Sequence, residues 1–580
     1  MHRQRVFRAA IALAAATALV AAGLATATTP DTRVSTGNIG SPFSQNKQNE
    51  PAVAVNPANP SVLVAGANDE IDLEACAAGP TTSCPFTAGV GVSGVYFSFD
   101  SGATWTQPTY TGWTARGCLG PVACVALSGP IGTLPGYHEA GLVSGGDPAL
   151  AFGPKPDTNG NFSWSNGARL YYANLASNFS AVRSETAFKG SEAVVVSRTD
   201  DVAAAAANTA SAWMAPVIVS KQNSALFSDK EGLWVDNAAT SPHFGNAYVC
   251  NVAFRGNGAG GAEPVLFTRS TDGGDTWSGQ LALSAATNTS HTGGRQGCAI
   301  RTDSHGVVYV VWEGTDIVSG SSVQFLTRSR DGGSTFERPR IAAKVTDVGL
   351  FDPTTGRASF DGVGGARTDS FPSFDIANGA PTGGGATNAM VMTWSDGQTP
   401  TTISGPNERA AVTWSTDGGT TWAPPVNAAA TTDRPDFPAI AITPDGSHVY
   451  LTYDSFAAPW QSTTGSPRLM QGVVRSVAFS SIGTPSSWGD LHRAVTGDAR
   501  GSSQNNLVAE FLGDYNSVVA TNTFGYAVWN DVRNASDCTA VDTYRQSLAN
   551  GTPTAKPAPG TVCAPTFGNS DIYGGAFTAP

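Results

Sequence analysis

Charged side chains are scarce in this chain: Asp, Glu, Lys and Arg together make up 13% of 580 residues. A disordered polyelectrolyte and a Glu/Lys-rich coiled coil or helical bundle are both excluded by that figure. Basic residues are the scarcer kind, 33 against 45 acidic ones, for a net charge of −12. With no basic stripe, a nucleic-acid partner is excluded too. The seven histidines form no H-x-H or H-E-x-x-H pattern, and no cysteines stand at zinc-ligand spacing. A nucleophile elbow, a P-loop and an EF-hand spacing are all missing, so no cofactor and no metal are expected. Beyond the first 27 residues, no apolar run reaches the ~18 residues of a membrane span.

What is plentiful is turn and ring. The chain holds 66 Gly and 36 Pro, with 9% aromatic residues that include 13 Trp. Many short strands joined by tight turns fit this composition, and one large all-β body can absorb the length.

The N-terminus reads as a secretory leader. Arg3, Arg5 and Arg8 precede an apolar stretch from Ala9, and Ala25-Thr26-Ala27 offers a cleavage site. Residues 1–27 are expected to be removed, leaving residues 28–580 secreted, free of the membrane and monomeric. Loss of the three arginines leaves 30 basic against 45 acidic residues, a mature charge of about −15. Eight cysteines suit an oxidising compartment. Short loops favour Cys76–Cys84 and Cys118–Cys124, and Cys538 and Cys563 bracket the last long loop. Cys250 and Cys298 remain, in strand-like runs 48 positions apart.

One phrase, S-x-D-x-G-x-T-W/F, occurs four times: Ser98–Trp105, Ser270–Trp277, Ser329–Phe336 and Ser415–Trp422. Each follows a strand-like run. Worn copies stand at Val194–Asp201, with Trp213 beyond, and near Ser480–Trp488. The Asp of each copy can accept bonds from backbone N–H groups a few residues on. The Gly can take a positive φ, and the aromatic residue is expected to be buried within its own blade. A second phrase recurs seven times, a polar cluster leading into an alternating apolar strand, a turn, and a strand rich in Val, Tyr and Trp. The expected inner strands are 52–55, 149–152, 233–236, 298–301, 373–376, 439–442 and 517–520. Seven four-stranded blades of one β-propeller follow, with six or eight as the alternatives. The stretch from Arg33 to Gly40 is expected to help close the ring. Helix should be nearly absent after the leader, and residues 76–90, 111–145, 157–165 and 535–569 read as loop insertions.

The polar clusters enter the inner strands, where propellers present a binding face. They contain Glu50; Asp147; Asp229, Lys230 and Glu231; Arg295 and Gln296; Arg367 and Asp369; Arg434 and Asp436; and Asp514 and Tyr515. Arg295, Arg367 and Arg434 come from three successive blades, and three converging guanidinium forks would hold a carboxylate bidentately. The competing reading is a ring of charges that cap strands and pair with one another across the channel.

The fourfold phrase resembles the Asp box (BNR repeat) of sialidases and other secreted β-propellers. That resemblance implies that Asp100, Asp272, Asp331 and Asp417 are structural, on hairpins away from the axis. It also implies sialidase-like exo-glycosidase activity on an extracellular glycan or glycoconjugate, with an acidic sugar gripped by an arginine triad. Tyr515 and Glu231 would then be the tyrosine–carboxylate nucleophile pair, with Asp147, Asp229 or Glu50 as acid/base. Asp369, Asp436 and Asp514 join the substrate-binding set. The alternatives are a non-catalytic propeller binding glycans or proteins, and a polysaccharide lyase using Tyr515 or a histidine as base.

Cys250 ends the second strand of the expected third blade and Cys298 lies in the first strand of the fourth, so face-to-face packing would bring them together. Non-reducing peptide mapping should recover them in one linked pair. Separate alkylation of the two in undisturbed protein would rule the bond out.

Overall fold

A computed structural model describes residues 30–36, 47–76, 78, 84, 86–120, 122–221, 226–255, 263–284, 296–352, 357–359, 365–397, 408–458 and 463–580. The expected leader, residues 1–27, and the stretch 37–40 of the expected closing segment lie outside them.

Seven small antiparallel sheets stand around one axis as a seven-bladed β-propeller. Their inner strands are Gln48–Val55, Leu142–Pro156, Leu226–Val235, Gln296–Thr302, Ser373–Ile376, Pro435–Ile442 and Ser517–Ala520. Every expected inner segment falls on one of these, with 233–236 running one residue past its strand, and all seven line a central channel of about 270 Å³. Two short hairpins stand outside the blades, Tyr110–Thr114 with Leu127–Ile131 and Leu350–Asp352 with Arg357–Ser359.

The strands are apolar on both faces because each blade is covered on both sides. Met390–Gly397, the second strand of blade 5, is buried throughout. The apolar clusters accordingly sit between blades. Val64 and Phe97 meet Phe152 and Tyr172 between blades 1 and 2, and Tyr171 meets Val249 between 2 and 3. Tyr248 meets Trp312, Leu326 meets Met392, and Val412 meets Leu451. Tyr450 meets Trp529. Tyr526 of blade 7 meets Val53 and Ala65 of blade 1, which closes the ring. The N-terminal strand Thr32–Arg33 adds the outermost strand of blade 7, paired with Asp571–Phe577. That strand joins the first and last parts of the chain and covers part of the edge of Asp571–Phe577.

The four Asp boxes share one set of bonds. Ser98 Oγ accepts from Gly102 N–H at 2.9 Å, and Asp100 accepts from Thr104 N–H at 2.9 Å and Thr104 Oγ1 at 2.6 Å. The same three bonds recur around Asp272, Asp331 and Asp417. The hydroxyl and backbone N–H of Thr421 hold the Asp417 carboxyl down at about 2. In the worn copy of blade 2, Asp201 instead accepts from Ala204 N–H and caps a short helix, Val202–Ala206.

The box aromatics are half-buried rather than enclosed in their own blades. Trp105 of blade 1 reaches blade 7, its Nε1 donating to Tyr526 Oη at 2.8 Å. Phe336 of blade 4 packs edge-on against Phe267 of blade 3 at 4.8 Å. The boxes are therefore staples between blades as well as turns. Their glycines permit this close approach: a Cβ on Gly102, whose φ is +85°, would lie 1.9 Å from the Tyr526 ring.

The last insertion departs from expectation. Residues 535–569 contain the helix Thr539–Ala549 and a turn of helix at Pro559–Val562. Val541, Tyr544 and Leu548 form a helical stripe that packs on Leu507, Phe567 and the Cys76–Cys84 bridge. Burial of that stripe makes a helix of a segment whose composition reads as loop. All four disulfides have the expected pairing: Cys76–Cys84, Cys118–Cys124, Cys250–Cys298 and Cys538–Cys563. Cys250 and Cys298 bridge blades 3 and 4 with Cα atoms 6.3 Å apart. Among the described residues, no helix is long and apolar enough to cross a membrane.

Gly102→Ala should destabilise the protein by about 1–3 kcal/mol through overpacking at the seam between blades 1 and 7, on top of the backbone strain. Chemical denaturation reads the loss, and a neutral result would show that the box does not staple the seam.

Candidate functional site

Five inner strands are interrupted near the axis by a bulge whose central residue has a positive φ. These residues are Glu50 (56°), Asp147 (52°), Lys230 (54°), Gly297 (60°) and Phe437 (52°). The strand pairing shifts at each of these points. Four of the five are not glycine, so the conformation costs free energy that the surroundings must offset. Pro follows Glu50, Asp147 and Phe437, a residue that fixes its own φ and needs no ladder partner. In this register the axial position falls to Phe371 in blade 5 and Tyr515 in blade 7.

The bulges of blades 1, 2 and 3 thus carry a glutamate, an aspartate and a lysine to the axis, and Arg367 and Asp514 arrive from blades 5 and 7. Asp514 accepts from Lys230 Nζ and forms an ion pair with the Arg367 guanidinium. Arg367 also donates to Glu50 at 2.9 Å, and Lys230 stands 3.9 Å from Asp147. Asn68 donates to Glu50 and accepts from Asp147 N–H at 2.6 Å. The Arg367 guanidinium lies 4.7 Å over the Phe511 ring, and the Lys230 ammonium 5.8 Å over the Tyr515 ring. The cations set the protonation states. Asp514 is buried but held at about 2 by Arg367 and Lys230, so it stays ionised. Burial and the neighbouring Glu50 charge push Asp147 well above the usual carboxylate range.

This cluster divides the axis. Below it runs the channel, lined near the cluster by Lys230, Glu231, Phe371 and Tyr515. Above it lies a second cavity of about 570 Å³, whose lining includes Phe227, Asp229, Lys230, Phe254, Glu313, Asp347, Arg367, Asp369 and Asp514. Lys230 belongs to both linings. Glu231 and Tyr515 thus line only the lower channel, and Asp229 only the upper cavity. Burial, then the charges of Asp147 and Glu50, raises the Tyr515 phenol well above its ordinary value. Burial likewise raises Glu231, and among the described residues neither of its carboxyl oxygens has a hydrogen-bond partner.

Arg367 and Arg434 do not share one point. Arg367 is at the axis, but Asp514 and Glu50 occupy its guanidinium. Arg434 pairs with Glu408 at 2.9 Å and lines neither cavity. It precedes the blade 6 bulge residue Phe437 by three positions. Arg295 lies outside the described residues. Asp436 is buried, accepting from Thr368 Oγ1 at 2.7 Å and Ser395 Oγ at 2.9 Å.

Asp369 lines the upper cavity beside Glu313 and Asp347, two residues that the sequence reading missed. Burial raises Asp369, and burial plus the charges of Asp369 and Asp347 raises Glu313 well above the ordinary range. Both carboxyls thus hold a proton more tightly than Asp514 nearby. Glu313 pairs across the blade with Gln296, as Asn68 does with Asn49 and Asp454 with Asp436. A polar residue closing the second strand was thus a repeated signal, and it could have been read alongside the inner-strand clusters. Among the described residues, no group of three or more His, Cys, Asp or Glu side chains could hold a metal ion.

No protein-family model matches the chain, and no curated protein matches it in sequence. Solved sialidase-like β-propellers are distant structural matches. A protein of unknown function from Dyadobacter fermentans aligns with TM-score 0.36 and 13% identity, over 76% of this chain and 100% of its own. A Hadza microbial sialidase aligns with TM-score 0.37 and 12% identity, over 72% of this chain and 66% of its own. The endosialidase of phage phi92 aligns with TM-score 0.39 and 11% identity, over 95% of this chain and 69% of its own. At these identities the likeness concerns the fold alone.

Burial raises Asp436 and Asp236 to about 7 in the folded protein. An unfolded Asp titrates near ~3.9, so the folded state binds these protons more tightly. Their contribution to stability is full below ~pH 4 and is lost as pH rises through about 7. Asp436→Asn should therefore flatten the fall in Tm between pH 4 and pH 8. An unchanged slope in calorimetric scans would show that Asp436 is ionised throughout.

Proposed function

We propose that the protein is a glycoside hydrolase acting on an extracellular glycan in the upper cavity. The observation that carries this reading is the arrangement of carboxyls there, with Asp514 ion-paired to Lys230 and Arg367 beside Asp369 and Glu313, which burial raises. Glycosidic cleavage needs a carboxylic acid on one side of the bond and a carboxylate on the other. Asp369 passes the shared proton to the glycosidic oxygen, and the bond to the anomeric carbon breaks. Asp514, fixed by Lys230 and Arg367, supplies the negative charge that stabilises the oxocarbenium-like transition state. Water attacks the anomeric carbon and gives its proton to Asp229.

An acidic sugar is not favoured. The carboxylates of the lining outnumber Lys230 and Arg367, whose charged groups are turned to Asp514, Glu50 and Asp147. The tyrosine–glutamate nucleophile is less well supported, because burial, and then the carboxylates around Tyr515, raise its phenol and disfavour the phenolate. Residues 1–27 act as the leader on this reading. Four disulfides suit the oxidising compartment that it leads to.

A second reading, glycan binding without hydrolysis, is favoured by the fact that both carboxyl oxygens of Asp514 are held by cations. Incubation with chromogenic glycosides and with neutral, amino and acidic polysaccharides separates the two. Hydrolysis should appear on a neutral or amino glycan, and Asp369→Asn should lower kcat by roughly 10²–10⁴-fold while leaving glycan binding measurable. Binding without turnover by the unaltered protein would replace the hydrolase reading with the second one.

A further inference from the structure

The blade 4 side of the upper cavity carries Glu313, Asp347 and Asp369 side by side. Asp369 accepts from Ser370 N–H at 2.7 Å and Asp347 from Ser322 Oγ at 2.9 Å. Glu313 is only 8% exposed, and among the described residues no donor reaches its Oε2. The nearby cations are engaged elsewhere, Lys230 with Asp514 and Asp147 and Arg367 with Asp514 and Glu50. A buried carboxylate with no donor is costly; within the chain a proton shared with Asp369 offsets that cost, and a cationic donor from outside the chain can take over that role. In the same lining, Phe227 and Phe254 stack with ring centroids 5.3 Å apart and 20° between planes. Stacked rings in a cavity with a few convergent polar groups offer an apolar surface for the C–H face of a sugar.

We infer that the glycan taken by this cavity carries a free primary ammonium, as in an amino sugar without its N-acyl group, seated between Glu313 and Asp347. The inference rests on the glycan reading above and names its substrate class. An ammonium presents three N–H donors at ordinary hydrogen-bond distances and can satisfy the empty Glu313 oxygen. A divalent metal needs shorter, convergent oxygen contacts, and no such group stands among the described residues. The ammonium also serves the proposed reaction. Its charge favours ionised Glu313, which leaves the shared proton on Asp369.

The test is isothermal titration of the mature protein with oligosaccharides of glucosamine and galactosamine, each in free-amine and N-acetylated form, together with neutral oligosaccharides. The free-amine forms should bind roughly tenfold tighter or more than their acetylated partners. Glu313→Gln should remove that preference while weaker binding of the acetylated and neutral forms persists. Asp347→Asn provides the same readout if Glu313→Gln unfolds. Equal affinity for amine and acetylated forms would overturn the inference and leave the glycan reading standing. Calcium binding that Glu313→Gln abolishes would overturn it in favour of a metal site. No binding of any glycan would overturn both readings.

Discussion

Asp514 lies between the ammonium of Lys230 and the guanidinium of Arg367, and the axis of the ring closes on that contact. Through these groups, with Glu50 and Asp147, five blades meet at one point. Each ion is buried and has lost most of its water, so each depends on the others being in place. The position of Asp514 follows from closure of the whole ring, since Lys230 and Asp514 are 284 positions apart in the chain. The cluster also separates a lower channel from an upper cavity and gives each its own chemistry.

Around this axis the blades are held by a repeated seam. Each interface has its own apolar cluster, and the Asp boxes add an outer staple from one blade to the one before it. The Cys250–Cys298 bridge performs a similar task nearer the axis, beside Lys230, whose carbonyl lies 3.5 Å from the Cys298 sulfur. These contacts leave the inner-strand bulges little freedom to relax. That restraint explains how Glu50, Asp147 and Lys230 persist in a left-handed conformation that costs each of them free energy.

The candidate site was legible in type but not in register. The recurring polar clusters do enter the inner strands, and Glu50, Asp147, Lys230, Arg367 and Asp514 do meet. The reading of those charges as a ring pairing across the channel describes what they do. Arg434 was read as axial because it stands in the same cluster as Asp436, yet the bulge brings Phe437 to the axis in that blade. A shift of one to three positions at a bulge changes which side chain points inward. Glu313 and Asp347 went unread because they lie on other segments, 17 and 51 positions from Gln296, and only packing brings them beside Asp369.

The sequence by itself determined the repeat, put seven blades ahead of six or eight, and determined the turn chemistry of the Asp boxes and the short-loop disulfides Cys76–Cys84 and Cys118–Cys124. Each of these is local or periodic: a hairpin bonds within eight residues, and a repeated strand pattern needs a repeated sheet. Only the tertiary structure decided which charges neutralise one another, that Arg367 is occupied by Asp514 and Glu50, and that Tyr515 and Asp229 line different cavities. It also decided that a carboxyl trio and a pair of stacked phenylalanines share one chamber. These are relations between side chains from different blades. Their energies depend on burial and on distances across the axis, quantities that a linear pattern does not contain.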